Sequence, residues 1–477
     1  MLSASSCSGL SRALLIGVAA VPLGYAGAAA LASRCRTIRL AAWGGAVACF
    51  FAPPLLTGYA YANFTGLPGV ASSVRSLCYG LLVLARLLPV AAVLWLICPG
   101  QVSREAWHAV RLAWPRLTHR MRLVHAWQQL CHGSAATAAA VLGAVFVLAF
   151  TEFELAAFLG VEQWTVTIFD AQVGGMSLAA SLRRVALPAA MAGGLAVAVV
   201  LVLRASRPVA TGGASPRRGW APVGLAVFMA GALLVAVVPG AIVVRGVWPG
   251  ALTAWRGFGL GRELASSLLV AAAAGGLACV AAGLVCRRSP RPGRQALQMA
   301  GVIALLVPGL LGGLVVGLLF LAMLQVPLLW ILRSTPLPLI VAASLMVMPV
   351  ALLIQLLLRG RRRVADLHLA RLLAASPDPG VRRRATSLSW VRGSRPLFWA
   401  AALLIYQVFS DITLASLLAP LRMPLVMPRL YNFMHYGRSA VLTSSLLIAV
   451  VVPLAALTLA SFTYRIWRAR HAATLDM

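Results

Sequence analysis

The sequence contains no lysine. All 41 of its basic residues are arginine, against only 10 acidic residues, for a net charge of +31. A Walker A phosphate loop and a pyridoxal-phosphate Schiff base both need lysine. The chain therefore does not hydrolyse ATP through a phosphate loop of its own. Charge of any sign is scarce: charged residues make up 11% of the chain, where a soluble domain carries about a quarter. The eight cysteines, at 7, 35, 49, 78, 98, 131, 279 and 286, form no CxxC pair and read as small apolar residues, so no disulfide and no metal site is expected. The seven histidines show neither HxxxH nor HExxH spacing. No GxSxG, no Cys–His arrangement and no catalytic carboxylate pair stands out, and the chain does not read as an enzyme. The first apolar run carries more basic charge after it than before it, the reverse of a cleavable signal sequence.

What is abundant is apolar length. Hydrophobic residues are 61% of the 477, and the mean hydropathy is +0.90. Runs of 18 to 25 apolar residues are long enough to cross a bilayer, and eleven are present. They are Ala13–Ala32, Leu40–Ala62, Ser76–Cys98, Ala135–Leu159, Ala186–Leu203, Ala221–Val244, Leu264–Cys286, Leu297–Leu321, Leu337–Leu358, Leu397–Leu418 and Ala440–Phe462. The arginines lie mostly in the gaps between them. Alternate gaps hold 29 of the 41, ten of them between Arg359 and Arg395. By the positive-inside rule this predicts an outer N-terminus and a cytoplasmic C-terminus. Nucleic acid is not an expected partner, because a basic binder concentrates its charge on a soluble face.

The chain also repeats itself at a spacing near 260. Pro89-Val90-Ala91 recurs as Pro349-Val350-Ala351, and His108-Ala109-Val110-Arg111-Leu112 as His368-Leu369-Ala370-Arg371-Leu372. Phe150-Thr151-Glu152-Phe153-Glu154-Leu155-Ala156 recurs as Phe409-Ser410-Asp411-Ile412-Thr413-Leu414-Ala415. Three matches in order at a nearly constant offset predict two parallel repeats with a pathway between them. The expected division is 1–207 for a first half of five spans, 208–220 for a basic cytoplasmic linker, and 221–477 for a second half of six. Two long basic loops, about Pro99–Ser134 and Arg359–Pro396, are each expected to carry a short helix, His108–Trp114 and His368–Ala375, that offers a docking surface.

The second loop, Asp366-Leu367-His368-Leu369-Ala370-Arg371-Leu372-Leu373-Ala374-Ala375-Ser376, resembles the E-A-A-R-L-L-G-A-S loop of ATP-binding cassette importer permeases. His368 stands at the glutamate position, Leu369 at an alanine and Ala374 at the glycine. Arg395-Pro396 is similar to the arginine–proline that precedes the next span. The first loop keeps His108, Ala109 and Arg111. The segment Pro428–Gly437 resembles an outer segment of the iron(III)-type permeases, and Thr165–Asp170 is its first-half counterpart. The resemblance implies a type I importer permease, an all-α polytopic protein of two fused halves in the inner membrane. It implies two cytoplasmic ATPase subunits gripping His108, Ala109 and Arg111 in one loop and His368, Ala370, Arg371 and Leu372 in the other. It further implies an extracytoplasmic binding protein that delivers iron(III), with no cofactor held by the chain. Thiamine, polyamine and inorganic-anion permeases share the architecture.

Ionisable groups in lipid usually face a cavity or a partner, which makes Glu152, Glu154 and Asp411 pathway candidates near the outer ends of their spans. Tyr431, His435 and Tyr436 form a polar aromatic cluster that could line an entrance or belong to an interfacial aromatic belt. The rival readings from other classes are a gradient-driven secondary transporter with parallel repeats and a polytopic membrane enzyme.

Overall fold

A computed structural model describes residues 4–67, 69–97, 134–205, 218–247, 260–286, 292–360, 372–373, 375–435 and 439–476, with scattered positions between 108 and 124. Every element among them is helical. In lipid a backbone N–H or C=O has no water to bond, so an apolar run satisfies itself as a helix.

In chain order the helices are α1 (Ala4–Leu31), α2 (Arg36–Phe51), α3 (Pro54–Thr65), α4 (Ser72–Ile97), α5 (Ser134–Phe150), α6 (Glu154–Leu159), α7 (Trp164–Val173) and α8 (Leu178–Ala205). Then come α9 (Ala221–Ala232), a π turn (Leu233–Val237), α10 (Val238–Gly246), α11 (Leu260–Val285), α12 (Pro292–Leu310), α13 (Gly313–Met323) and a 3-10 segment (Pro327–Ser334). The chain ends with α14 (Leu337–Gly360), α15 (Pro379–Phe409), α16 (Thr413–Leu418), α17 (Val426–His435) and α18 (Ser439–Asp476).

Seven of these stretches are long and apolar enough to cross a membrane, and counting two bent pairs as single spans makes nine. Ser134–Phe150 and Pro396–Phe409 are apolar but shorter. Several stretches expected to be continuous are interrupted. Leu40–Ala62 divides into α2 and α3, bent by 74°, and Leu297–Leu321 into α12 and α13, bent by 106°. The first bend falls at Pro53-Pro54, where Pro54 takes the first helical position that needs no N–H donor. The second falls at Gly312, whose φ of +86° suits glycine and few other residues. Ala135–Leu159 and Leu397–Leu418 break at 151–153 and 410–412.

Packing follows the same order in both parts of the chain. α1 packs on α4 and α5, and α11 packs on α14 and α15. α3 packs on α6, and α13 on α16. Without a hydrophobic force between helices in lipid, small residues let them approach closely. At Gly224 of α9 an added Cβ would collide with the Ala26 carbonyl of α1. The π turn exposes carbonyls that α3 uses: Thr57 Oγ1 donates to Val235 O at 2.9 Å, and the Tyr61 hydroxyl to Leu234 O at 2.9 Å. Contacts between the parts run through α9 on α1 and α2, through α10 on α3, through α4 and α14, and through α8 on α12 and α13.

The loop expected at Arg359–Pro396 is helical from Pro379 onward. Asp378 caps that helix, accepting from Gly380 N at 2.7 Å, with Pro379 at the first helical position. Of the docking residues, His108 and Leu372 are helical and exposed, while Ala109, Arg111, His368, Ala370 and Arg371 lie outside the described residues.

Candidate functional site

The four helix interruptions meet. Ala52, Thr151, Gly312 and Ser410, one from each break, line a single cavity of about 230 Å³. Its other walls come mainly from α4, α5, α8, α12 and α14. From the breaks it extends along Leu94, Val200 and Leu353. These residues lie toward the ends of α4, α8 and α14 that lead into the arginine-rich segments.

Most of the lining is apolar, and the ionisable groups are Arg86, Glu152 and Glu154. Glu152 stands just before α6 and satisfies its first amides. Its Oε1 accepts from Leu155 N at 2.7 Å and its Oε2 from Ala156 N at 3.1 Å. Asp411 does the same for α16, accepting from Leu414 N at 3.0 Å. The other oxygen of Asp411 is buried without a hydrogen-bond partner. Asp411 also lines a smaller void of about 80 Å³ together with Arg86 and Glu154.

Glu154 reaches from one part of the chain to the other. Its Oε1 accepts from the backbone N of Ile412 at 2.9 Å and from Thr413 Oγ1 at 3.3 Å. Positions 154 and 413 are separated by the same 259 residues as Glu152 and Asp411. A second contact crosses nearby: Thr151 Oγ1, which donates to Val147 O at 2.9 Å, also lies 3.3 Å from the carbonyl of Leu310, at the end of α12.

Arg86 falls inside the expected span Ser76–Cys98. It sits near the middle of α4, half-buried, within electrostatic reach of Glu154 and Glu152. Its Nε is buried and has no hydrogen-bond partner. The signal was present, since an arginine in the interior of a 26-residue apolar helix is itself a mark of a functional position. Glu263 lies one residue before the expected span Leu264–Cys286. In α11 it is buried and ion-paired with Arg429 of α17.

The remaining candidates lie elsewhere. Tyr431 packs against Phe158, with ring centroids 5.8 Å apart, and is not among the cavity's lining residues. His435 ends α17, its side chain outside the described residues, as is Tyr436 altogether. Among the described residues, no three of the histidine, cysteine and carboxylate side chains group to hold a metal ion.

Long apolar helices around a cavity of interrupted segments define the class: a multi-pass helical membrane protein. The chain matches no protein-family profile, no curated protein and no solved structure.

Proposed function

We propose that the protein is the membrane permease of an ATP-driven, binding-protein-dependent importer, built from two parallel repeats. The observation that carries the transport reading is the cavity where the four helix interruptions meet. Transporters commonly build their sites from discontinuous helices at a repeat interface. The importer reading adds the resemblance of the loop around His368–Ser376. It also fits a lysine-free chain, whose ATP hydrolysis must come from separate subunits.

In this reading the arginine-rich segments face the cytoplasm, the N-terminus lies outside and the C-terminus inside, within the inner membrane. The cavity then opens inward, and the Glu154 bridge to Ile412 and Thr413 closes its outer end. Two ATPase subunits draw the loops at Ala109 and Ala370 together and part the outer turns. A binding protein then delivers the cargo, iron(III) by the resemblance of Pro428–Gly437.

The test is co-purification and reconstitution. The chain should retain a pair of ATPase subunits, and proteoliposomes should import only with ATP and loaded binding protein. Replacing Ala370 or Ala109 with arginine should abolish uptake by blocking docking; unchanged ATPase association and uptake would overturn it. A second reading, gradient-driven transport, draws on the half-buried Arg86, Glu152, Glu154 and Asp411, since such groups also form proton relays. Uptake by the chain alone under a proton or sodium gradient would favour it.

A further inference from the structure

The segment between α13 and α14 carries large apolar side chains that the protein does not cover. In the 3-10 helix Pro327–Ser334, Leu328 is 85% exposed, Ile331 77% and Trp330 59%. Leu332 is the side chain that turns inward, against the core around α14. The fold holds this exposed turn in place rather than leaving it loose. Thr335 closes it by donating both its backbone N and its Oγ1 to the carbonyl of Leu332, at 3.0 and 2.8 Å.

We propose that this segment is an interfacial anchor, seated in the lipid headgroup region on the membrane side opposite the long arginine-rich loops. Three observations select a lipid surface over a protein partner. First, the patch is continuous with exposed apolar surface on both flanks. Leu319, Met323 and Val326 lead into it from α13, and Leu337 leads out along α14, all of them exposed. Gln325, Arg333 and Ser334 are the exposed polar side chains within it. Second, its depth is right. The 24 residues of α14 span roughly 36 Å at about 1.5 Å each, slightly more than the hydrocarbon core, so a helix whose other end reaches the arginine-rich loop begins at the opposite interface. Third, its chemistry is interfacial. The Arg333 guanidinium lies 5.3 Å from the Trp330 ring centroid, a tryptophan–cation pair suited to headgroups. Residues 313–337 contain no carboxylate to repel anionic lipid.

The anchor holds one end of α13. The other end begins at the Gly312 interruption in the cavity wall, so the bilayer holds a lever that reaches the site. The proposal needs only a membrane-spanning chain, not the importer reading, so its test runs without ATP or cargo.

The full chain, with its cysteines replaced by serine and Leu328→Cys carrying a bimane label, is reconstituted in phosphatidylcholine–phosphatidylglycerol vesicles. Nitroxide lipids labelled at the headgroup or near the acyl-chain end supply the quenchers. Leu328 is so exposed that the substitution leaves the packing intact. Headgroup nitroxide should remove at least about two-fold more fluorescence than the deep nitroxide, with little quenching by aqueous iodide. Strong iodide quenching with no response to either lipid would overturn the anchor. So would a label that ignores lipid and becomes shielded only when a binding protein is added, since the patch would then be a protein-docking surface.

Discussion

At the residue scale, the chain handles buried charge by two different means. The carboxylates at the breaks bond to backbone amides, while Glu263 is held by an arginine. Glu263 is nearly inaccessible, with 4% of its side chain exposed, and Arg429 is 31% exposed. The two partners therefore differ in what remains when the other is lost. Arg429→Met strands a carboxylate with no route to water, and such losses cost about 3–5 kcal/mol. Glu263→Gln leaves a guanidinium that can turn toward solvent and still lies over the Phe433 ring, so its cost should be smaller. Thermal unfolding of the purified protein in detergent checks the order. Arg429→Met should lower the midpoint clearly more than Glu263→Gln, and the reverse order would mean that the arginine is the buried partner.

At the element scale, close helix approach decides which small residues matter. The backbone of α9 lies against that of α1 at Gly224, and a Cβ there has no flexible side chain to displace, only the Ala26 carbonyl. Gly276 of α11 meets nothing within 4 Å. Gly224→Ala should therefore destabilise the protein, on the order of the 1–3 kcal/mol seen for overpacked cores. Gly276→Ala should be neutral or stabilising by up to about 1 kcal/mol, as alanine is the better helix former. Equal midpoints for the two variants would show that α1 and α9 do not pack this closely.

The sequence could not distinguish these glycines, because contact between helices far apart in the chain leaves no periodic trace. Span positions were more legible: the run read as Leu337–Leu358 is the helix Leu337–Gly360. The breaks were legible to different degrees. Pro53-Pro54 announces one. At 151–153 the acidic Glu152 in an apolar run is visible, but its role as a cap for α6 is not. Gly312 looks like any of the chain's 42 glycines. The first turns of the helix starting at Pro379 are rich in arginine and so resemble a basic loop. Arginine is nevertheless a good helix former, and Asp378-Pro379 is a helix start signal.

At the scale of the whole molecule, the question is whether the two halves part where Glu154 joins them. The cavity has apolar walls leading one way and a hydrogen-bonded bridge at the other, so in the proposed transport reading a cargo meets the turns at 151–154 and 410–413. These turns are short, and their hydrogen bonds to each other are few, which makes them a separable contact rather than a packed core. Glu154→Cys paired with Thr413→Cys, on a cysteine-free background, would place two thiols across the bridge. Cysteine is shorter than glutamate, so a short, reducible bifunctional thiol reagent is the suitable link. Cross-linking should form readily in the resting protein and stop uptake in proteoliposomes, and reduction should restore it. Each single variant is measured before and after the same reagent, and the treatment should not change its own rate, which separates tethering from simple modification. If the tethered protein imports at the rate of the reduced one, the turns stay together throughout the cycle and the pathway leaves the cavity by another route.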